Sequence, residues 1–410
     1  MSKNKNQKFP LLSIILFVAL LLRIVFILVF LKEKLYWDDE FAYDRLAIQL
    51  IEQRAYVNEE GARTAFRAPG YPIFLALNYL LFGRHFWTIR MVQAFVDCLT
   101  LILIFLIARQ MFNQKVAIIA GMLYAIYPLF IYTSSTFFPT TLSVFFLALF
   151  IFLLMQIEQN GTTILLILLG MVAGLSVLTV PTFLPSVLLA MFWLFFHLNQ
   201  ASRPTARPIS IIMLLMIVML LPWIIRNYLV FNQPFLIATN SGYNFWMGNN
   251  PWATPTTGNS IAFPDSLARK LSQAKSEVEQ EKIFYQDAFQ YIKKNSGKFI
   301  ALTFKKALNL WQFYPTPATG YKMLPTLSKL MSIFSYGPVL LLAIFGLIIS
   351  WREKKKYVLL FILLFLSFTI SYAFFITKAR FRLPLDPYLI ILAGVTIRHF
   401  WENRKIIFSS

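Results

Sequence analysis

Apolar stretches of about twenty residues recur along the whole chain, and this recurrence limits what it can fold into. Ten such stretches lie at approximately 11–31, 86–108, 116–133, 137–156, 162–180, 183–198, 209–228, 333–350, 357–376 and 385–400. A helix of about twenty apolar residues crosses the roughly 30 Å hydrocarbon core of a bilayer. With 58% hydrophobic and 14% charged residues, a water-soluble globule is excluded. The sequence predicts an all-α polytopic membrane protein with about ten transmembrane helices.

The net charge of +20 comes from cations dispersed over the predicted loops. In a soluble protein this charge would indicate nucleic acid, but here it indicates orientation in the membrane and contact with anionic lipids. The single cysteine, Cys98, excludes a disulfide framework, and three scattered histidines form no zinc constellation. We therefore expect membrane lipids as partners and no nucleic acid.

Lys and Arg flank alternate spans, which predicts the orientation because cations near span ends resist translocation. Arg109, Lys115, Arg203, Arg207 and the run 352–356 fall on one side. This pattern places both termini in the cytoplasm, with two long segments outside. The expected parts are a tail and first span (1–31), an outer loop with juxtamembrane helices (32–85), a transmembrane block (86–228), a second outer loop with amphipathic helices (229–332) and the last three spans with a cytoplasmic tail (333–410).

Both outer segments contain helical patterns too short to cross a bilayer. The apolar run from Tyr71 to Phe82 predicts a helix in the interface. Leu267, Leu271, Ala274 and Val278 recur at helical spacing. A further helix is predicted from about Lys298 to Trp311. The outer segments are therefore expected to form helices at the membrane surface.

Eight of the eighteen carboxylates lie between Glu33 and Glu60. On a helix starting near Asp38, Glu40 and Asp44 share a face, as do Asp39 and Tyr43. Crowded carboxylates hold at least one pKa above its usual value, which suits a general base. A helix dipole also favours acids in a first turn, so a purely structural role stays open.

Lys378, Arg380 and Arg382 fill a short gap between two late spans, on the predicted outer side. Their outward placement is against the positive-inside rule, and a bound anion would explain it. Pro384 disfavours helical geometry before it, so an extended chain is expected to project all three cations to one side. Guanidinium groups bind phosphate in this way. Contact with lipid headgroups is the alternative.

At these positions the chain resembles the polyprenyl-phosphate-sugar glycosyltransferases of the C-type fold, near the protein O-mannosyltransferase and lipid A aminoarabinose transferase group. The resemblance is carried by the motifs Asp39-Glu40-x-x-Tyr43, 66–72 (FRAPGYP), 223–228 (WIIRNY), 240–244 (NSGYN), 248–250 (GNN) and 380–384 (RFRLP).

The resemblance implies an inverting transfer, in which a base deprotonates a hydroxyl that attacks the sugar of a polyprenyl-phosphate donor. It assigns Asp39 as base, with Asp38 and Glu40 as neighbours, and it assigns the donor phosphate to Arg380 and Arg382. The remaining substrate-binding candidates are Lys378, Arg226, Tyr43, Arg67, Asn244 and Asn249. Many relatives carry another acid where 138–141 (FPTT) has none. That departure argues against a second carboxylate or a metal role; these residues identify no definite cofactor, and a divalent cation stays an open alternative.

The sequence-based hypothesis is a glycosyltransferase of the cell envelope, in a bacterial cytoplasmic membrane, with its site at the extracytoplasmic face. The acceptor hydroxyl belongs to a glycan, a lipid or a protein. The alternative from another class is a multispan transporter or flippase of a lipid-linked or anionic substrate. A transporter favours repeated halves and polar groups at the midplane, whereas here the charges cluster at one interface. A noncatalytic scaffold would leave the outward cations unexplained.

Overall fold

The computed structural model describes residues 9–235, 237–256, 261–313 and 325–407. The N-terminal helices are α1 (Phe9–Phe30), α2 (Asp38–Glu52), α3 (Gly70–Phe82), α4 (Phe86–Met111), α5 (Gln114–Ala125), α6 (Pro128–Thr133), α7 (Thr140–Asn160) and α8 (Thr163–Thr179). They are followed by α9 (Leu184–Gln200), α10 (Ala206–Phe231), α11 (Ser241–Gly248), α12 (Asp265–Gln273), α13 (Glu277–Lys294), α14 (Ser296–Leu310), α15 (Pro325–Phe374), α16 (Ala379–Arg382) and α17 (Asp386–Ile407). The predicted N-terminal tail over 1–8 and the part of the second outer loop over 314–324 lie outside the described residues.

The all-α prediction is confirmed, because the described ranges contain no strand and only one isolated bridge, between Val57 and Arg63. Six described helical stretches are long and apolar enough to cross a membrane. They are Leu11–Phe30, Phe86–Met111, Thr140–Asn160, Pro181–Gln200, Ala206–Phe231 and Lys329–Phe374. The chain is thus a multi-pass membrane protein.

Each of the ten predicted spans falls on helix, but the number ten stays a prediction. The span expected over 116–133 is divided between α5 and α6, where Pro128 begins the second helix. The helix α8 is short, with 17 residues. The two spans expected over 333–376 run together in α15, which bends at Lys354 (φ −140°, ψ 42°). Sequence hydropathy located the helices but not where each one bends.

Charges buried between the first helices are paired. Arg23 of α1 forms an ion pair with Asp97 of α4 and donates a hydrogen bond to it. The Tyr124 hydroxyl of α5 donates to the other carboxylate oxygen at 2.7 Å. Since an unpaired charge inside a membrane is costly, these contacts join α1, α4 and α5. This cluster is structural and lies apart from the site described below.

The two long loop segments, 32–85 and 232–313, are bound to each other. Glu277 at the start of α13 accepts hydrogen bonds from the Ala65 backbone (2.8 Å) and from the hydroxyls of Thr64 and Thr239. The single helix expected from the spacing of Leu267 to Val278 is wrong, because Ser276 caps the separate helix α13 through a bond from the Glu279 amide. Both segments, with the ends of several long helices, enclose one cavity.

Candidate active site

Asp39 lies in the first turn of α2, between two arginines from distant parts of the chain. Its Oδ1 accepts from Arg67 Nη2 and its Oδ2 from Arg380 Nη2, both at 2.8 Å. The side chain of Asp39 retains 20% exposure, so the carboxylate still faces open space. The structure therefore brings the predicted base together with one of the predicted phosphate-binding arginines.

The pKa of Asp39 is held well below its usual range. Burial acts to raise this pKa, but the positive charges of Arg380 and Arg67 and their hydrogen bonds more than offset burial. The expectation that crowding with other acids would raise the pKa of the base is therefore wrong for Asp39. The nearest charges in space are cations that the local sequence does not contain. In this state Asp39 is an ionised acceptor, ready to receive a hydrogen bond from a hydroxyl.

The cavity beside Asp39 has a volume of about 290 Å³. Its walls come from the first outer loop, the start of α7, the end of α8, the start of α11 and the segment after α15. The lining side chains are Asp39, Tyr43, Phe66, Arg67, Ala68, Phe138, Pro139, Thr140, Ser143, Thr179, Val180, Pro181, Thr182, Phe183, Ala238, Asn240, Ser241, Tyr243, Asn244, Tyr372, Phe375, Ile376, Lys378, Arg380, Phe381 and Pro384. The lining combines one carboxylate, three cations, several hydroxyls and aromatic rings, which is suited to a polar ligand with an anionic group.

The late cations separate into two groups. Lys378 and Arg380 line the cavity, and the Arg380 guanidinium lies 4.5 Å from the centroid of the Phe138 ring. Arg382 is 1% exposed, pairs with Asp386 at 2.9 Å and lies 3.4 Å from the centroid of the Tyr336 ring. Arg382 is therefore a buried structural residue, outside the cavity lining.

The expected extended chain is wrong here, because residues Ala379–Arg382 form the short helix α16. Side chains two positions apart in a helix point in different directions, whereas in a strand they share a side. This local geometry turns Arg380 toward Asp39 and Arg382 into the core. Burial lowers the pKa of Lys378 to about 8, and the nearby Arg380 acts in the same direction. Lys378 therefore loses its charge at a lower pH than an exposed lysine.

The other two predicted acids do not join Asp39. Asp38 is exposed and is not part of the cavity wall. Glu40 is 1% exposed and accepts from the backbone amides of Tyr36 (2.6 Å), Trp37 (3.2 Å) and Phe137 (2.9 Å). Burial raises the pKa of Glu40 against the effect of these bonds. Glu40 therefore links the start of α2 to the segment just before α7, which is a structural role.

The remaining candidates divide in the same manner. Tyr43, Arg67 and Asn244 line the cavity, and the Arg67 guanidinium lies 4.7 Å from the centroid of the Tyr43 ring. Arg226 instead donates to the carbonyls of Thr64 and Tyr56, both at 2.8 Å. Asn249 is buried and donates to the carbonyls of Phe245 and Phe374. Arg226 and Asn249 support the walls without forming them.

Several lining residues were not identified from the sequence. They include hydroxyls at the start of α7 (Thr140, Ser143), at the end of α8 (Thr179) and in the turn before α9 (Thr182), and the rings of Phe66, Phe138, Tyr243 and Tyr372. Residues of these types are frequent throughout the chain, so composition and spacing contained no signal for them. Only the convergence of helix ends distinguishes them from other membrane residues.

The donor set of the cavity does not match a divalent cation. Asp39 is the only carboxylate in the wall formed by the described residues, and both its oxygens already accept from guanidinium groups. Hard divalent cations require several oxygen ligands, usually including more than one carboxylate. No group of three His, Cys, Asp or Glu residues suited to a metal occurs in the described ranges. The residues present therefore favour cationic side chains as the partners of a phosphate.

Comparison with known families gives one match to part of the chain. Residues 66–226 match the family model described as dolichyl-phosphate-mannose-protein mannosyltransferase. The matched region begins beside Arg67 and ends at Arg226, and it contains α3 to α9 and most of α10. A search of curated proteins found no similar sequence.

Solved structures share the fold over nearly the whole chain. The oligosaccharyltransferase of Archaeoglobus fulgidus, tethered to an acceptor peptide containing the NVT sequon, aligns with a TM-score of 0.59 at 15% identity, over 98% of this chain and 51% of that chain. An oligosaccharyltransferase of the same organism, AglB, in complex with an inhibitory peptide and a dolichol-phosphate, aligns with a TM-score of 0.57 at 14% identity, over 99% of this chain and 52% of that chain. The chain thus spans about half the length of each archaeal chain.

A bacterial structure is more distant. ArnT from Cupriavidus metallidurans bound to undecaprenyl phosphate aligns with a TM-score of 0.45 at 12% identity, over 96% of this chain and 78% of that chain. The match to part of the chain and the shared archaeal fold confirm the fold that the sequence motifs predicted. The chain is a membrane protein of the C-type glycosyltransferase fold.

Proposed function

We propose that this protein transfers a sugar from a polyprenyl-phosphate donor to the hydroxyl of an acceptor, with inversion at the anomeric carbon. The observation that carries the proposal is the position of Asp39 between Arg67 and Arg380, in a cavity that Lys378 also lines. A carboxylate and a set of cations in one cavity supply the two opposite charges that such a transfer needs.

The reaction assigns one charge to each side of the transferred sugar. Asp39 accepts the proton of the acceptor hydroxyl, and that oxygen forms a bond to the anomeric carbon. The bond from this carbon to the phosphate oxygen breaks, and its electron pair leaves with the lipid monophosphate. Lys378 and Arg380 receive the leaving phosphate, because both line the cavity and lie two positions apart in the chain. Asp39 ends protonated and returns its proton to solvent.

The charges of the cavity match the leaving group better than the intact donor. Its described wall holds three cations, Arg67, Lys378 and Arg380, against the single carboxylate of Asp39. The donor phosphodiester carries one negative charge, and the departing monophosphate develops a second. Interactions that strengthen as charge develops accelerate the chemical step. The excess of cations therefore favours departure of the phosphate.

Donor binding also activates the base. With the site empty, Arg380 and Arg67 hold the pKa of Asp39 low, which makes its carboxylate a weak base. A phosphate that binds Arg380 shares the guanidinium with Asp39 and weakens this stabilisation. The pKa of Asp39 then rises toward its ordinary value only when a donor is present. The same arginine thus couples donor binding to proton removal.

The comparisons and the charge distribution support this reading of the site. The archaeal structures contain a dolichol-phosphate in one case and a tethered acceptor peptide in another. At the helix ends opposite the cavity, cations outnumber acids; they include Arg109, Lys115, Arg203, Arg207 and those of the run 352–356. Because cations collect on the cytoplasmic side, we place the cavity at the extracytoplasmic face and the termini in the cytoplasm. A bacterial cytoplasmic membrane is the setting we propose.

The direct test is to incubate the purified protein with a panel of polyprenyl-phosphate sugars and to follow loss of sugar from the lipid. We expect loss with at least one donor, dependent on an added glycan, lipid or peptide acceptor. An anomeric configuration opposite to that of the donor would support inversion. No transfer from any donor, together with no binding of polyprenyl phosphate, would refute the proposal.

A further inference from the structure

Lys306 is a buried lysine in α14 that no part of the mechanism above uses. It is 1% exposed, and its Nζ donates to Phe375 O (2.9 Å), Gly248 O (3.2 Å) and Asn249 Oδ1 (3.2 Å). All three acceptors are neutral oxygens, and no ion pair involves Lys306 among the described residues. Burial lowers the pKa of Lys306 to about 7. A buried cation without a carboxylate is costly, and its presence calls for an explanation.

The three acceptors belong to two segments that both form walls of the cavity. Gly248 ends α11 and Asn249 follows it, and α11 contributes Tyr243 and Asn244 to the lining. Phe375 begins the segment that leads to Lys378. Lys306 therefore joins the end of α11, the helix that carries Asn244, to the segment that carries Lys378 and Arg380.

The backbones of these two segments are in direct contact. A Cβ atom at Gly248 would lie 1.9 Å from the Phe375 carbonyl oxygen, so only glycine allows this approach. The Asn249 side chain donates across the same contact to Phe374 O at 2.8 Å. Lys306 satisfies the carbonyl groups of Gly248 and Phe375 that this close approach would otherwise leave buried without donors.

The next turn of α14 contacts the same segment further along. Asn309 donates to Thr377 Oγ1 at 2.9 Å, and Leu310 O accepts from Arg382 Nη1 at 3.1 Å. Positions 306, 309 and 310 lie on one face of a helix. One helical face thus contacts residues 375, 377 and 382, on both sides of Lys378 and Arg380.

We propose that Lys306 is a positioning residue that, with the same face of α14, sets the segment 375–382 so that Lys378 and Arg380 face the donor phosphate. This inference rests on the proposed function of those two cations. Lys306 itself is outside the cavity wall and does not contact the substrate. It acts through the backbone of the segment that presents the cations.

The first measurement follows the segment itself and needs no substrate. In Lys306→Met the aliphatic stem is retained and the three hydrogen bonds are lost. We expect faster amide hydrogen exchange over 375–383 than in the wild type, with exchange in the transmembrane helices unchanged. Lys305→Met is the matched control, because Lys305 is the exposed neighbour on the same helix. Unchanged exchange over 375–383 in Lys306→Met would overturn the inference.

The second measurement uses undecaprenyl phosphate as the probe, with monodisperse protein in detergent. We expect the Kd to rise about tenfold in Lys306→Met, a change of the size that corresponds to the loss of one hydrogen bond from a charged group. Asn309→Ala should weaken binding in the same direction, and Lys305→Met should leave it unchanged. Equal Kd values for wild type and Lys306→Met would also overturn the inference.

The two measurements separate this inference from the proposed function. If the wild type binds no polyprenyl phosphate and transfers no sugar from any donor, the proposed function fails, while the exchange measurement still decides whether Lys306 holds the segment. If binding is normal in the wild type and exchange does not change in Lys306→Met, the positioning role alone fails. A purely structural lysine would lower the melting temperature without a change in Kd per folded molecule.

Discussion

Replacement of Asp39 by asparagine should have opposite effects on chemistry and on lipid binding. The Asp39→Asn side chain keeps its shape but cannot accept a proton, so sugar transfer should nearly cease. The same change removes the negative charge that competes with phosphate for Arg67 and Arg380. We therefore expect polyprenyl phosphate to bind more tightly to Asp39→Asn than to the wild type.

The magnitudes follow from the contacts. A positioned general base contributes about 10²–10⁴ in rate, so transfer should fall by at least about a hundredfold. Opposite charges about 4 Å apart attract by about 4 kcal/mol at an effective dielectric constant of about 20. Asp39 is 20% and Arg380 is 30% exposed, and water reduces the net value of such a pair to about 1 kcal/mol. Release of Arg380 should therefore tighten phosphate binding about fivefold.

The assay combines single-turnover sugar release from a lipid-linked donor with equilibrium binding of undecaprenyl phosphate in detergent. Glu60→Gln is the matched control, because it neutralises an exposed acid of the same loop and should change neither quantity. Transfer at the wild-type rate in Asp39→Asn would refute the base assignment. Loss of both transfer and binding would show that Asp39 supports the fold of the site instead of acting in the reaction.

Three further predictions concern other charged residues. Glu40→Gln should lower the free energy of unfolding by about 1–3 kcal/mol, and with it the melting temperature, because the buried Phe137 amide loses its charged acceptor. A selective loss of kcat with an unchanged melting temperature would contradict the structural role. Arg382→Met should strongly reduce the yield of monodisperse protein, because it leaves Asp386 buried and unpaired at a cost of about 3–5 kcal/mol; size-exclusion profiles measure this, and a normal yield with weak donor binding would restore the phosphate role. The KM for donor should rise as pH increases through about 8, because Lys378 is charged below its lowered pKa and neutral above it. Lys378→Arg should flatten this dependence between pH 7 and 9. The same pH dependence in Lys378→Arg as in the wild type would show that Lys378 does not contact the donor.

The position of the helices was predictable because hydrocarbon thickness sets the length of a span. The interfacial helix expected from Tyr71 to Phe82 is α3, and the helix expected from Lys298 to Trp311 is α14. The extent of α15 and the division of α12 from α13 were not predictable. They depend on a local break at Lys354 and on the cap at Ser276, which are weak signals beside hydropathy.

The role of a charged residue was less predictable than its location. Asp39 and Glu40 are adjacent in sequence, but a helix turns adjacent side chains about 100° apart. One carboxylate faces two arginines in the cavity, and the other accepts from three backbone amides. Arg380 and Arg382 diverge for the same reason within α16. Which side of a helix faces a cavity depends on packing that no local pattern contains.

The amino-acid sequence by itself determined that the chain crosses a membrane as helices, and that acids and cations collect in two of its loops. The reason is that burial of apolar side chains and the exclusion of charge from hydrocarbon act on composition over whole segments. Only the tertiary structure decided which acid meets which cation, and that Lys306, remote in sequence from both, supports the segment between Phe375 and Arg382. Coulombic and hydrogen-bonding interactions act over a few ångströms, so they are defined only when distant segments are packed together.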